Sequence, residues 1–370
     1  MLAIAVNHLG WLVDLLGFSE RKLPTLTEFG YSSAASLFLG LSGYLIGLIY
    51  LRRPGATAAI WKRAWLIYRV NTVAFLVGLL IVFWQPPAIQ SALEYDATLA
   101  SPLVGSLLFL AMLHQPALLD VLQMYVILMI LTPLVAVMMR KNAALTLLVS
   151  FGVYALSQPF IAAAAAPAAI LEPDGNWTLS GVWNMNLLSW QLLFFGSMYA
   201  GTLVFHEKMF AWVGASALRR WATIGLYAAV AVNHVGAKLG YWGTPPLIDK
   251  GTLEPLRLAH FGLTMLMLCS VLVMLKNHLT NLVGSIVALV GRQTLYGFAA
   301  SIPATYLAVG FWWASGKTYL AYLLSCGFVV AVLIAVSRWF DLRRSPDTRP
   351  LSLSQFGQQF LGLPPRSSRS

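Results

Sequence analysis

Charge is scarce in this sequence. Asp, Glu, Lys and Arg make up 10% of its 370 residues, where soluble domains carry roughly 25%. With 59% hydrophobic residues and a mean hydropathy of +0.74, a soluble globular domain is excluded and a polytopic membrane protein is expected. Cysteine is nearly missing as well. The two present, Cys269 and Cys326, lie inside apolar runs, which excludes a disulfide framework and a cysteine-based metal site. Acidic residues number 13 against 24 basic ones, a net charge of +11. These cations are spread through short loops rather than gathered on one soluble face, so a nucleic-acid partner is not expected. The first apolar run has neither a charged start nor a small-residue cleavage site, so no cleavable signal peptide is expected. No internal repeat is evident.

What is present is a succession of apolar runs. A window of about 20 residues per span places about ten helices, at 1–18, 33–51, 64–84, 118–138, 143–162, 187–205, 220–237, 257–275, 293–314 and 318–337. The segment Thr98 to Gln115 is apolar but contains Pro102 and ends in His-Gln-Pro, so it reads as an interfacial or re-entrant piece. Putting the N-terminus in the cytoplasm sends most Lys and Arg residues to inner loops, as the positive-inside rule requires. An all-α protein with both termini cytoplasmic follows. The longer loops 85–117, 163–186 and 238–256 then face outward, where a polar substrate would dock. Residues 1–340 form one membrane domain, and 341–370 read as a flexible basic cytoplasmic tail whose Arg side chains can lie on anionic lipid.

Ionisable groups at membrane depth are costly and mark functional candidates. His8 interrupts the first run, with Asn7 and Asp14 beside it. In the second run Ser32, Ala35, Ser36, Gly40 and Gly43 recur at helical spacing, which lets another backbone approach closely. Arg63 sits at the start of the third run, where a snorkelling cation is ordinary. Arg69 lies about two turns deeper and needs an anionic partner, either Asp14, Asp120 or a ligand. Asp120, Tyr125, Asn184, Asn186, Trp190 and Gln191 crowd the expected outer interface. Aromatic faces beside amides and carboxylates suit a sugar, whose hydroxyls need donors and acceptors.

The succession Asn7-His8, Phe29-Gly-Tyr-Ser-Ser-Ala-Ala35 with Leu41-Ser-Gly-Tyr44, Arg63-Ala-Trp-Leu-Ile-Tyr68, Leu119-Asp-Val-Leu-Gln-Met-Tyr125, Trp183-Asn-Met-Asn186 with Trp190-Gln-Leu-Leu-Phe194, Pro255-Leu-Arg-Leu-Ala-His260 and Gly291-Arg-Gln-Thr-Leu295 resembles the OpgC family. These are membrane succinyltransferases of osmoregulated periplasmic glucans within the wider acyltransferase-3 superfamily. The resemblance covers nearly all of the chain except the tail. It implies a multi-pass, ten-span enzyme of the bacterial inner membrane that moves an acyl group, succinyl by this resemblance, from cytoplasmic acyl-CoA to a hydroxyl of a periplasmic glucan. No permanently bound cofactor is implied; acyl-CoA, as succinyl-CoA or acetyl-CoA, is a co-substrate. The superfamily's first-helix histidine maps onto His8, and its basic residues onto Arg63 with Arg69. Two features depart from the family pattern. The Arg-Asp motif ahead of that histidine has no room after Met1, so the sequence is expected to begin inside the family's first helix. Ser36 stands where the family carries a carboxylate.

Acyl transfer needs a base, an oxyanion stabiliser and a hold on the donor. His8 is the expected base, acting directly or through a covalent acyl-enzyme. Arg63, Arg69 and Arg292 are the expected donor cations, and Ser42, Tyr68 or Asn7 the oxyanion donors. Asp120, Tyr125, Trp183, Asn184, Trp190, Gln191, Arg257 and His260 are the acceptor-site candidates. No metal site is expected, and His114, His206, His234 and His278 read as loop or interface residues. An O-acetyltransferase of another envelope polysaccharide is the alternative with the same chemistry. A transporter of an anionic solute is the alternative of another class.

Overall fold

Apolar runs become helices because hydrocarbon offers no partner to a free N–H or C=O, and a helix satisfies both internally. The structure is a computed structural model describing residues 1–18, 20, 22–51, 55–276 and 282–343. Its helices are α1 Leu2–Leu15, α2 Ala34–Leu45 continued by a π-helical turn Ile46–Tyr50, α3 Ala56–Phe83, the short α4 Pro87–Ala92, α5 Asp96–Ala100 and α6 Pro102–Leu110, then α7 Asp120–Leu156, α8 Leu187–Thr202, α9 Phe205–Gly214, α10 Ala217–Lys238, α11 Pro255–Leu275, α12 Leu282–Arg292, α13 Thr294–Ala314 and α14 Tyr319–Leu342. The expected tail gives up its first residues to α14; from Arg344 onward, like His278, it lies outside the described residues.

Among the described residues five helices, α3, α7, α11, α13 and α14, are long and apolar enough to cross a bilayer. There are six if α8 and α9, bent by 79°, make one span. The difference from about ten has physical causes. Helix α1 and α2 with its π turn are apolar but short, α10 carries Arg219, Arg220, Asn233, His234 and Lys238, and the expected runs 118–138 and 143–162 are joined in α7. That join is broken at Asn142 (φ −156°, ψ 96°), whose side-chain oxygen accepts from the Leu145 N–H at 3.0 Å and so caps the second half. The piece from Thr98 to Gln115 holds only the end of α5, the nine-residue α6 and a turn, too short to cross.

One departure from all-α is a hairpin in the 163–186 loop. Strand β1, Pro167–Leu171, pairs antiparallel with β2, Trp177–Val182, with a bulge between Ala168 and Ile170. Asp174 closes its turn by accepting from the Asn176 N–H at 3.0 Å.

The small-residue stripe of α2 does what its spacing implies. A methyl on Gly43 would lie 2.2 Å from the Phe194 carbonyl oxygen of α8, one on Gly47 1.9 Å from that of Met198, and one on Gly201 2.1 Å from that of Tyr44. The two backbones therefore touch, the close approach that drives helix association in lipid. Helix α1 packs on α13 and α14 and touches α2, burying Leu9, Leu12 and Val13 completely.

Candidate functional site

His8 lines a cavity of about 650 Å³. Its ring meets Phe298 edge-on at 5.8 Å, and its Nδ1 is buried with no hydrogen-bond partner. The preceding residue sets this direction: the Asn7 amide donates to Thr27 and accepts from Thr25, pinning the rotation of α1 against the Leu26–Glu28 turn. Nearer the end of α1, Asp14 pairs with Lys22 at 2.8 Å rather than with an arginine.

All three loops assigned to the outer side deliver residues to this cavity: Glu94 and Ala117 from the first, Asn184 and Met185 from the second, Lys250 from the third. Asp120 lines it from the first turn of α7, and His234, Lys238 and Arg257 from α10 and α11. The third loop is held rigidly. The Gly251 carbonyl accepts from the Asn186 N–H at 2.9 Å and from Trp190 Nε1 at 3.0 Å. Gln158 donates to Thr252 O at 3.0 Å, and Tyr154 to Leu253 O at 3.0 Å. Lys250 is thereby set in the cavity that His8 and Asp120 also line.

Glu94 is a residue the sequence did not single out. Its φ of 59° is left-handed, a conformation that costs a non-glycine residue about 1 to 2 kcal/mol. It is held there because Leu93 and Tyr95 on either side are fully buried and the Leu93 carbonyl accepts from the Ala117 N–H at 3.1 Å. Burial, and then the charges of Asp120 and Asp96, push its carboxyl above the usual carboxylate range. Lys250 and His234 were equally unforeseen; His234, set aside as an interface residue, meets Tyr31 edge-on at 4.9 Å.

The cavity floor is aromatic. Phe38 and Phe298 stack at 5.6 Å, and Phe38 meets Tyr125 edge-on at 5.4 Å. Under this floor Tyr125 neighbours Ser42 and Arg63. Tyr125 sits five residues beyond Asp120, about 7.5 Å along the helix. Arg63 and Ser42, expected with the donor, thus lie beside Tyr125, expected with the acceptor.

The other candidates are dispersed. Arg69 is exposed on α3 with its guanidinium over the Trp65 ring at 5.8 Å, so the buried carboxylate partner expected for it is not found: Trp65, one turn earlier on the same face, supplies the contact. Tyr68 donates to Leu110 O at 3.2 Å. Arg292 makes a two-pronged pair with Asp341 at 3.2 and 3.0 Å, at the junction of α12 and α14. Trp183 donates to Pro167 O at 3.1 Å and braces the hairpin. Gln191 bridges α8 to α7, accepting from Ser150 Oγ at 2.6 Å and donating to Ser150 O at 2.7 Å. Ser36 is fully buried, its hydroxyl 3.0 Å from that of Ser33.

His260 and Arg257 lock onto the segment that precedes α2. Arg257 donates to Ile248 O at 2.9 Å and to Tyr31 O. His260 Nδ1 lies 3.0 Å from the Ser32 N–H nitrogen and 2.6 Å from Ser32 Oγ. Gly30 makes this possible, since a methyl there would fall 2.4 Å from His260 Cε1. Among the described residues no group of three or more His, Cys, Asp or Glu side chains is placed to hold a metal ion.

Against known proteins, the family described as OpgC protein matches residues 1–345. No curated protein and no solved structure matches the chain. Since that match takes in every element that lines the cavity, from α1 to α13, the chain belongs to the OpgC protein family.

Proposed function

We propose that this protein is a membrane O-acyltransferase of the bacterial inner membrane, within the acyltransferase-3 superfamily. It moves a succinyl group from cytoplasmic acyl-CoA to a hydroxyl of a periplasmic glucan, with both termini cytoplasmic and its ten apolar runs lying across the bilayer. Membership of the OpgC family supports a glucan-modifying acyltransferase. The observation that carries the reading is His8, its Nδ1 unpartnered, in a cavity bounded by three loops rich in polar groups.

In this reading the glucan enters from the loop side. Asp120, Glu94 and Asn184 meet its hydroxyls, Trp11 and Phe38 offer apolar faces to its CH groups, and His8 takes the proton of the attacking hydroxyl. The acyl donor approaches from beneath the aromatic floor, where Arg63 engages its phosphates, leaving the free carboxylate of the acyl group to the cavity. Lys250 is the cavity cation toward which that carboxylate turns, which favours succinyl over acetyl.

Mass spectrometry of periplasmic glucans from cells with and without the gene tests this. The expected result is a mass shift of one succinyl group per modified site that disappears with the gene. A shift of one acetyl group would assign the donor to acetyl-CoA, and glucans identical in both strains would overturn the assignment.

A further inference from the structure

Two of the sequence motifs, Phe29-Gly-Tyr-Ser-Ser-Ala-Ala35 and Pro255-Leu-Arg-Leu-Ala-His260, find no part in the scheme above, yet they meet in space across 228 positions. Their meeting point is Ser32, which lines the same cavity as His8. We infer that Ser32 is a catalytic nucleophile that carries the acyl group as a seryl ester between donor and glucan, with His260 as its base. The inference rests on the acyltransferase reading and deepens it by choosing the covalent route.

The geometry is that of an activated hydroxyl. Ser32 Oγ lies 2.6 Å from His260 Nδ1, inside the range of a nucleophile paired with its base. The tautomer is settled by a second contact. The Ser32 backbone N–H donates to the same Nδ1 at 3.0 Å, so that nitrogen carries a lone pair, toward which the Ser32 hydroxyl, 2.6 Å away, can direct its own proton. The other nitrogen, Nε2, is buried without a partner. Thr264 supports the pair: its hydroxyl donates to His260 O at 2.8 Å and stands 3.1 Å from Ser32 Oγ. The ring is fixed by Tyr227 at 5.3 Å and Tyr31 at 5.9 Å.

An oxyanion site adjoins the hydroxyl. Ser32 lies two residues before the first turn of α2, and Ser33 caps that helix by accepting from the Ser36 N–H at 3.2 Å. The leading N–H groups of a helix have no carbonyl partner within it and carry its positive end. Ala34 and Ala35, which hold them here, both line the cavity. In this scheme these N–H groups are the donors assigned to the oxyanion formed at Ser32. Ser33 is excluded as the nucleophile because its oxygen is engaged in the cap.

The two half-reactions balance. In the first, Ser32 Oγ bonds to the thioester carbonyl carbon as the C–S bond breaks. The hydroxyl proton passes to His260 Nδ1 and then to the departing sulfur, which leaves as the thiol of CoA. In the second, a glucan hydroxyl oxygen attacks the seryl ester while His8 takes its proton. The C–Oγ bond breaks, and that proton returns to Ser32 Oγ. Two bases thus have separate duties, His260, packed behind Ser32, for loading and His8, in the cavity, for unloading.

The test uses the full-length protein purified in detergent, radiolabelled succinyl-CoA, and intact-mass analysis with peptide mapping, first without glucan and then with it. Without glucan, the wild type should carry one succinyl group on Ser32, and His8→Ala should accumulate the same adduct because unloading is blocked. Ser32→Ala should carry none and lose transfer to glucan by at least about 10³-fold, with His260→Ala failing in the same direction. Ser32→Cys should form a thioester that neutral hydroxylamine cleaves, whereas the wild-type ester needs alkaline conditions. That variant also separates lost chemistry from lost folding. A pair that only braces the fold would leave Ser32→Ala active. Transfer by Ser32→Ala at the wild-type rate, label mapped to another residue, or no label on either wild type or His8→Ala would each overturn this inference alone. A wild type that moves no acyl group to glucan from either succinyl-CoA or acetyl-CoA would overturn the underlying reading as well.

Discussion

Replacing Gly30 by Ala should damage this enzyme out of proportion to one methyl group. The added carbon would lie 2.4 Å from His260 Cε1 and 2.7 Å from Nε2, whereas carbon contacts settle near 3.5 Å. The ring must therefore retreat by about 1 Å, and the tyrosines around it, Tyr227 and Tyr31, limit where it can go. Such a shift stretches the 2.6 Å contact to Ser32 Oγ to a length at which a hydrogen bond is lost. Overpacking of this kind costs about 1 to 3 kcal/mol, and the hydrogen bond about 1 more. A 1 Å misplacement at a reacting centre costs on the order of 10²-fold in rate. Thermal unfolding in detergent and the rate of acyl transfer to glucan, measured on the same preparation, read both effects. An unchanged melting temperature together with a rate within twofold of wild type would refute the reasoning.

Much of this architecture is written in local sequence. The apolar runs locate the helices, since a run of that length in lipid has no other way to satisfy its backbone, and the stripe through Gly40 and Gly43 announces the close crossing of α2. His8 was legible as an ionisable group in an apolar run, and its place in the cavity agrees with that. Asp120 and Asn184, chosen for their crowding at the expected outer face, and Arg257, an acceptor-site candidate, line the same space. What was not legible depends on contacts between distant segments or on backbone angles. Nothing near Ser32 names His260, and nothing near Arg292 names Asp341, because each partner is chosen by how helices stack. Glu94 acquires its position from a left-handed φ that a glutamate does not advertise. Arg69 looked buried because its run is apolar, but one turn back Trp65 lies on the outer side of α3 and takes Arg69 with it. The hairpin β1–β2 escaped because Ala-rich and Trp/Thr-rich pieces in a loop carry no clear period.

Further outcomes follow from the same contacts. Gly43→Ala puts a methyl 2.2 Å from the Phe194 carbonyl oxygen, a backbone atom that cannot swing aside, so about 1 to 3 kcal/mol of stability should be lost; an unchanged unfolding midpoint would show that α2 and α8 can part freely. Trp190→Phe removes one of the two donors to Gly251 O, and at about 1 kcal/mol it should raise the KM for succinyl-CoA severalfold with kcat nearly unchanged, because Lys250 is loosened rather than lost. Burial holds the His114 imidazole at about 4, below its ordinary 6.5, 2.8 Å from Thr98 Oγ1. The unfolded chain therefore binds the extra proton first, so the stabilisation is full above pH 6.5 and is lost as pH falls toward 4. His114→Gln should flatten that stretch of the stability profile, and an equally steep decline in the variant would assign the acid sensitivity to other groups.

The account turns on His8 as a base for acyl transfer, and one measurement addresses it most directly. His8→Ala and His8→Asn, expressed in cells lacking the gene, should leave periplasmic glucans unmodified while the protein remains folded in the membrane, and the purified variants should transfer acyl groups at least about 10²-fold more slowly than wild type. Glucan modified to the wild-type level by either variant would contradict the account.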